Sequence, residues 1–350
     1  MSTILVTGGA GFIGSHTCLS LLEHNYDVIV IDSFINSSPI SIDRVRNIYD
    51  SKKLKDKKIE LFKGDLRSIE DLEGVFDVFN SQGKPIKAVI HFAGLKSVSE
   101  SFKNPLIYWD NNLLSTINLL NAMIKNKCFN IVFSSSATVY GDATNNLFDE
   151  KYSISPVNPY GFTKATIEKI LENIFNSQPS KWRIANLRYF NPIGAHGSGL
   201  LGEHSYGIPN NIFPHILKVA AGKINHLNIY GNNWPTHDGT GIRDYIHVLD
   251  LADGHILALE KLLVNDPQIM NLNIGTGLST SVLDLISCFE RVNKIKIPYC
   301  FKDRRDGDVA SLVANNSQAK SHLNWKPKRN LEEMCLDGWR WQRMNPNGYE

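Results

Sequence analysis

TGGAGFIGSH, at residues 7–16, is the stretch that decides how this chain of 350 residues folds. It follows an apolar segment, TILVT, which predicts a buried strand, and it opens residues 12–24, whose apolar side chains recur at helical spacing. Gly8, Gly11 and Gly14 allow a sharp turn off the strand, bare backbone amides and close packing of the helix on the sheet. The positive N-terminus of that helix would face a bound phosphate. The loop therefore predicts a pyrophosphate site.

Apolar strands alternate with helices on both sides of this loop. The predicted strands are 3–7, 27–32, 59–65, 88–94, 130–136 and 183–191, and the predicted helices are 12–24, 68–80, 105–126 and 159–177, with a charged helix and loop at 41–58. Such strands indicate a parallel sheet covered on both faces. Beyond residue 191 the chain is richer in Pro, Gly, Asn and His. We predict an α/β fold, a doubly wound parallel (Rossmann) sheet with a smaller C-terminal substrate-binding domain and a site in the cleft between them.

Composition and charge exclude several classes of protein. The net charge of +2 gives no electrostatic footprint for nucleic acid or an anionic membrane, and no apolar run approaches the length of a membrane span. Eleven histidines form no HxxxH or HExxH pattern, which argues against a zinc enzyme. Five scattered cysteines without a CxxC pair, and an N-terminus without a leader, predict a cytoplasmic protein with free thiols.

Asp32 ends the second predicted strand, where a carboxylate can accept hydrogen bonds from the adenosine ribose hydroxyls. The same charge would repel the additional phosphate of NADP, so the predicted cofactor is NAD. The alternative is a plain glycine-rich turn beside a surface aspartate. A nucleoside-triphosphate P-loop is excluded because the loop does not end in GK[ST].

A tyrosine and a lysine follow the strand that ends in the serines 134–136. Tyr160 and Lys164 are four residues apart on the predicted helix and therefore project from one face. An ammonium beside the phenol would lower the tyrosine pKa, normally near 10, and make it usable as a base for a sugar hydroxyl. A second copy of this spacing, Tyr49 and Lys53, lies in a charged segment and is interpreted as solvated helix surface.

Several longer phrases resemble one family. They are HFAGLKSV at 91–98, FSSSATVYGD at 133–142, NPYGFTK at 158–164, RYFNPIGAH at 188–196, GIPNN at 207–211, DGTGIRDYIHV at 238–248 and RRDGDVA at 304–310. With the glycine loop they resemble the extended short-chain dehydrogenases/reductases, and within them the UDP-glucose 4-epimerase family. The resemblance covers nearly the whole chain.

The resemblance implies roles for individual residues. Those that would bind NAD are Gly8, Gly11, Phe12, Ile13, Gly14, Asp32, Ser33, Asn36, Ser37, Asp65, Leu66, Phe92, Ala93, Gly94, Lys96, Asn111, Ser134, Tyr160, Lys164 and Phe190. Tyr160 would be the catalytic base, Lys164 would tune it, and Ser136 would bridge it to the sugar. The residues that would bind a UDP-sugar are Lys96, Ser136, Tyr160, Asn191, Asn210, Asn211, Tyr230, Arg243, Arg305, Asp308 and Leu312.

The resemblance also implies an activity, the interconversion of UDP-glucose and UDP-galactose by removal and return of a hydride through a 4-keto sugar. Leu312 stands where the family sets the size of the sugar pocket, and its intermediate bulk predicts turnover of UDP-GlcNAc and UDP-GalNAc as well; the alternative is that Leu312 only packs the core. The implied domains are 1–190, joined by a return segment near 242–276, and 191–350. A homodimer through helices 105–126 and 159–177 is expected.

Four other functions stay open. A sugar-nucleotide 4,6-dehydratase or a UDP-glucuronate decarboxylase would use the same scaffold, but a dehydratase needs an acid–base pair after the serine strand, where residues 137–139 are Ala-Thr-Val. A non-catalytic nucleotide sensor usually lacks the tyrosine or the lysine, and both are present. A steroid-type dehydrogenase would release its cofactor and lack the two diphosphate arginines.

Overall fold

The first half of the chain builds a parallel sheet strand by strand. The computed structural model describes residues 2–52, 56–141, 147–204, 211–305 and 307–350. The strands of this half are β1 (Thr3–Thr7), β2 (Asp27–Asp32), β3 (Ile59–Lys63), β4 (Ile86–His91), β5 (Asn130–Ser136) and β6 (Arg183–Tyr189). They form at or near the predicted positions because most are apolar runs buried on both faces of the sheet, whereas the edge strand β3 is only partly buried.

Helices connect these strands. They are α1 (Phe12–Glu23), α2 (Ile40–Ser51), α3 (Ile69–Ser81), α4 (Val98–Lys103), α5 (Pro105–Trp109), α6 (Ser115–Lys125) and α7 (Pro159–Ser177). The single helix predicted over 105–126 is interrupted by a π-helical segment, Asp110–Leu114. Such a segment inserts a residue into the helical ladder and is frequent at functional sites. Here it contains Asn111, one of the residues expected to contact the cofactor.

The second half of the chain alternates shorter elements. They are β7 (Asn191–Ile193), α8 (Ile212–Ala220), β8 (Leu227–Tyr230), β9 (Ile242–Arg243), β10 (Tyr245–His247), α9 (Val248–Val264), β11 (Gln268–Ile274), β12 (Thr280–Ser281), α10 (Val282–Asn293), β13 (Tyr299–Lys302), β14 (Ser311–Leu312), α11 (Ser317–Leu323) and α12 (Leu331–Met344). Strand β11 pairs in parallel with β6 and returns to the large sheet. Short sheets join β10 with β7, β12 with β9 and β14, and β13 with β8.

The large sheet has the order β11-β6-β5-β4-β1-β2-β3 among the described residues. Helices α1, α2 and α9 supply the apolar cluster on one face, and α3, α6 and α7 supply the cluster on the other. This confirms the predicted doubly wound α/β fold. The strand order reverses between β1 and β4, so a crevice opens at their carboxyl ends, where such sheets bind ligands.

A separate apolar cluster is built around α8, α10 and α12. Its strand residues come from β7, β8 and β10. None of the described helices combines the length and the apolar character that a membrane crossing requires. All five cysteines, which lie within the described residues, are free thiols.

Candidate active site

The glycine loop brings bare backbone to the crevice between β1 and β4. Gly8 has φ +67°, and a Cβ there would lie 2.7 Å from the backbone nitrogen of Ala93. A Cβ on Gly14 would lie 2.5 Å from the carbonyl oxygen of Gly8. Gly11 precedes α1, whose first amides are open toward the loop. A side chain at Gly8 or Gly14 would collide with the backbone, so glycine is needed for this tight turn from β1 into α1, and such a turn fits the pyrophosphate of a dinucleotide.

Asp32 lies at the carboxyl end of β2 and is almost fully buried. Its Oδ2 accepts a 3.0 Å hydrogen bond from Ala10 N, and its Oδ1 accepts bonds from Phe34 N at 2.9 Å and Ser37 Oγ at 2.7 Å. These bonds orient the carboxylate and still leave it acceptor capacity for ribose hydroxyls. A buried negative charge at this point disfavours an additional phosphate, which fits NAD.

One cavity runs along the carboxyl ends of β1, β2, β4 and β5. Every predicted cofactor residue except Phe190 lines it, from Gly8 in the loop to Lys164 on α7. The cavity is also lined by residues that the sequence analysis did not select: Ile31, Ile35, Gly64, Leu95, Ser115 and Tyr189.

Phe190 does not line the cavity but packs with Val139, Tyr140 and Phe148 in a small apolar cluster. Its neighbour Tyr189 faces the cavity instead, because successive residues of an extended segment point to opposite sides. Tyr189 shares its side of β6 with Ala185 and Leu187, so the spacing of two residues between them is the sequence signal that would have identified it.

Tyr160 and Lys164 project from the first turns of α7 into the cavity. Asn158 caps this helix, accepting a 2.8 Å bond from Gly161 N, and proline occupies the first helical position. Lys164 Nζ donates a 2.6 Å hydrogen bond to the carbonyl oxygen of Ser134 and lies 5.9 Å from the centroid of the Tyr160 ring. A hydrogen bond with Ser136 at the end of β5 favours the anionic form of Tyr160. The structure thus brings together the three predicted catalytic side chains.

Burial dominates the protonation of both groups. It raises the pKa of Tyr160 to about 12, with the bond from Ser136 acting in the opposite direction. This is contrary to the expectation that Lys164 brings the phenol toward neutrality. Burial also lowers the pKa of Lys164 to about 7, opposed by the charge of Glu168. Burial thus disfavours the charged form of each group, and stabilisation of the phenolate depends on Lys164 carrying its proton.

Two arginines form a cationic patch on the second half of the chain. Arg243 Nη1 donates to the carbonyls of Ile242 at 2.8 Å and Val309 at 2.9 Å, and its Nη2 lies 3.6 Å from Asp308 Oδ1. The guanidinium of Arg305 stacks on the ring of Tyr230 at 3.7 Å. These are the predicted diphosphate and uridine residues. Backbone bonds and ring stacking hold the guanidinium planes in place, as bidentate binding of phosphate oxygens requires.

Asn191 connects the two halves of the site. Its backbone nitrogen donates to Asp244 O at 2.9 Å, next to Arg243, and it follows the cavity-lining Tyr189 by two residues. Its Nδ2 is buried and has no hydrogen-bond partner among the described residues. Because buried donors are almost always satisfied, this atom is available to an acceptor on a bound ligand.

The remaining predicted substrate residues lie around this path. Asn211 precedes α8 and makes no capping bond with its side chain, and Asn210 lies outside the described residues. Lys96 lines the cavity, and its Nζ lies 3.3 Å from Glu203 Oε1. Leu312 lies on β14, directly opposite Arg243 on β9.

Asp244 is a supporting residue that the sequence analysis missed. Its carboxylate is fully buried and accepts bonds from Thr276, Gly277 and Ala314. These bonds tie the segment after Arg243 to β11 and β14. The signal was available, since Asp244 directly follows Arg243 in the quoted phrase DGTGIRDYIHV.

The second tyrosine–lysine pair lies away from the cavity. Tyr49 is 3% exposed and packs in the core, with its hydroxyl 3.0 Å from Asp56 Oδ1, whereas Lys53 lies outside the described residues. The prediction that Tyr49 is solvated helix surface is therefore wrong. Helix α2 packs against α1, and Tyr49 lies on its apolar side with Ile42 and Val45.

Comparison with known proteins gives consistent matches over the full chain. A family model described as GDP-mannose 4,6 dehydratase matches residues 5–337. The chain is 48% identical over 347 residues to the UDP-glucose 4-epimerase of Bacillus subtilis (strain 168), covering 99% of this chain and 98% of that protein. It is equally identical, at 48%, to a bifunctional UDP-glucose 4-epimerase and UDP-xylose 4-epimerase 1 of Pisum sativum, with 99% and 97% covered.

A solved structure has the same overall fold. The UDP-glucose 4-epimerase from Bifidobacterium longum in complex with NAD+ and UDP superposes with a TM-score of 0.93 and 44% sequence identity. The match covers 99% of this chain and 100% of that one.

Proposed function

This chain belongs to the UDP-glucose 4-epimerase family, and from that premise we propose that Tyr160, Lys164 and Ser136 carry out the 4-epimerisation of a UDP-hexose in the crevice between β1 and β4. The activity is the NAD-dependent interconversion of UDP-glucose and UDP-galactose. The observation that carries the assignment of the catalytic residues is that Tyr160, Lys164 and the glycine loop line one cavity.

NAD, when bound, supplies the acceptor and donor of the hydride at C4 of the sugar. The protein has to move one proton in step with it. Tyr160 removes the proton of the 4-hydroxyl and later returns it, and Ser136 holds the phenol oxygen toward that hydroxyl. Because the pKa of Tyr160 is raised by burial, the ammonium of Lys164 has to stabilise the phenolate while substrate is bound. The dinucleotide would be held by Gly8, Gly11, Asp32 and Lys164.

Epimerisation requires that the sugar present both faces of C4 to the same side of the site. Arg243 and Arg305 would hold the diphosphate while the hexose turns about its bonds to it. Asn191, with its unpartnered buried Nδ2, would bind an oxygen of the substrate. Asp308, beside Arg243, would accept bonds from the uridine ribose.

Leu312 would set the size of the sugar pocket. It is half-buried on β14, opposite Arg243, and its side chain is smaller than an aromatic ring. An N-acetyl group on the sugar would therefore be accepted, and UDP-GlcNAc and UDP-GalNAc would be further substrates.

The helices at the edge of the site have an apolar outer surface that fits a second copy of the chain. Leu106 is 79% exposed, and Ile107, Ile117 and Ile124 are exposed on the same run of helices. Phe162 is exposed on α7, which packs against α5. Contiguous exposed apolar side chains of this size favour an interface. These side chains support a proposed homodimer through α5, α6 and α7, and the five free thiols support a proposed cytoplasmic location.

Incubating the purified protein with UDP-galactose, without added NAD, tests this function. UDP-glucose should appear and no net NADH should accumulate, because the cofactor is regenerated in every cycle. Formation of a 4-keto-6-deoxy sugar would identify a dehydratase instead. Absence of any conversion, even with NAD added, would contradict the proposal.

A further inference from the structure

Glu168 lies one turn beyond Lys164 on the face of α7 that carries Tyr160 and Lys164. It follows Lys164 by four residues, as Lys164 follows Tyr160, so the three side chains lie on one helix face. Its Oε1 accepts a 2.5 Å hydrogen bond from Ser135 Oγ. The residues on either side of Ser135 contact Lys164 and Tyr160. Three consecutive residues of β5 thus form hydrogen bonds with three side chains that lie on successive turns of α7.

Arg188 binds the same carboxylate from β6. Its Nε donates to Glu168 Oε1 at 3.0 Å and its Nη2 to Oε2 at 2.6 Å, while Nη1 donates to the hydroxyl of Tyr140 at 3.0 Å. Glu168 is 5% exposed and Arg188 is 1% exposed. Replacing such a buried pair by apolar side chains is often neutral or stabilising, so stability alone does not explain it. Glu168 lies one helical turn from Lys164 and its charge acts on that lysine, which indicates an electrostatic role.

The charges around Lys164 come from three elements. On α7 it lies between Tyr160 and Glu168, and Arg188 of β6 lies behind Glu168. His91 of β4 is also close, but burial lowers the pKa of His91 to about 3, so this ring is neutral. Burial lowers the pKa of Lys164, and the charge of Glu168 raises it. Without that charge the lysine would lose its proton at lower pH.

We propose that Glu168 is a positioning residue for the epimerisation: its carboxylate keeps Lys164 protonated beside Tyr160 and fixes the end of β5 against α7. Arg188 orients this carboxylate through two hydrogen bonds. The inference rests on the proposed roles of Tyr160 and Lys164, because Glu168 acts only through them.

The test compares the wild type with Glu168→Gln and Glu168→Asp. The amide keeps the shape of the side chain but removes its charge, so the alkaline limb of kcat, where Lys164 loses its proton, should move to lower pH. At pH 8, kcat should fall by about tenfold, with the KM for UDP-galactose changed less than about twofold. Glu168→Asp keeps the charge and should retain the wild-type limb.

A readout independent of activity is the pH titration of Lys164 itself. In protein labelled with [¹³C]lysine, the Cε resonance of Lys164 is identified by its loss in Lys164→Met. Its midpoint should lie at lower pH in Glu168→Gln than in the wild type. If Lys164 titrates as expected in each variant but the wild type shows no epimerase activity, the proposed function fails, while the electrostatic effect of Glu168 on Lys164 still stands.

Two further variants separate charge from packing. Glu168→Gln combined with Arg188→Met leaves no unpaired buried cation, and its alkaline limb should remain displaced. Tyr140→Phe removes a buried hydroxyl that bonds Arg188 and Asn273 but keeps the charge of Glu168. This variant should unfold at a lower temperature than the wild type, and the alkaline limb of its kcat should lie at the same pH as that of the wild type. The proposal would be overturned if both variants that carry Glu168→Gln kept the wild-type alkaline limb of kcat and the wild-type titration midpoint of Lys164. It would also be overturned if Tyr140→Phe moved the alkaline limb as far as Glu168→Gln does.

Discussion

Lys164 Nζ donates a 2.6 Å hydrogen bond to the carbonyl oxygen of Ser134, which fixes the buried amine 5.9 Å from the centre of the Tyr160 ring. The bond joins α7 to the end of β5 and directs the lysine into the cofactor cavity. Since burial lowers the pKa of Lys164 to about 7 and raises that of Tyr160 to about 12, both groups resist their charged forms. Proton transfer by Tyr160 therefore depends on neighbouring groups that stabilise the phenolate of Tyr160 and the ammonium of Lys164.

The buried lysine should make stability depend on pH. The folded state holds the pKa of Lys164 near 7, below its usual value of about 10.5 in an unfolded chain. Between these values the unfolded state binds more protons, so the wild type gains stability as pH rises through this window and loses it as pH falls. The free energy of unfolding of the wild type relative to Lys164→Met should therefore increase from pH 7 to pH 10, measured by urea unfolding.

Lys169→Met serves as the control for that measurement. Lys169 lies on the same helix but is largely exposed and pairs with Glu172 at 2.7 Å. Its removal should leave the difference from the wild type unchanged across the same window. A constant difference for Lys164→Met as well would show that Lys164 is not desolvated.

Arg305 should contribute to binding rather than to chemistry. Its guanidinium stacks on Tyr230 and, with Arg243, forms the patch that would hold the diphosphate. Arg305→Gln should raise the KM for UDP-galactose by about ten- to a hundredfold, as expected for the loss of a charge-assisted bond of about 1.5–3 kcal/mol. Because the diphosphate is bound in both ground state and transition state, kcat should change much less.

The adjacent Arg304 offers a matched control in steady-state assays. It stacks on Trp234 at 3.8 Å and donates to Asn233, so its side chain is already engaged with the protein. Arg304→Gln should leave the KM within about twofold of the wild type. Equal effects of the two substitutions would mean that only the general charge of the segment matters.

Leu312 should govern the acceptance of N-acetylated sugars. Leu312→Tyr places an aromatic ring opposite Arg243 and reduces the space beside the sugar. The ratio of kcat/KM for UDP-GalNAc to that for UDP-galactose should fall at least tenfold, since a steric clash costs more than about 1.4 kcal/mol. An unchanged ratio would leave Leu312 as a packing residue only.

The strands were predictable because their signal is local. Apolar runs such as 27–32 and 130–136 can be satisfied only in a covered parallel sheet, and the structure places β2 and β5 at these bounds. The π-helical segment at Asp110–Leu114 was not predictable, since its inserted residue leaves the helical periodicity of the sequence nearly unchanged.

The catalytic part of the site was easier to predict than its support. Tyr160 and Lys164 are marked by their spacing and their place after a strand. Glu168 lies on the same face of α7, but a glutamate on an amphipathic helix usually faces solvent. Its burial depends on Arg188, which arrives from a strand twenty residues later. Such long-range pairing is set by the tertiary fold and has no local pattern.

Tyr160→Phe in the purified enzyme tests the central assignment most directly. The substitution removes the hydroxyl that carries the proton and keeps the ring within the cavity. Conversion of UDP-galactose to UDP-glucose, followed by separation of the two sugars, should show kcat reduced by about 10²–10⁴-fold, with NAD still bound and the KM little changed. Turnover close to that of the wild type would contradict the role of Tyr160 as the base.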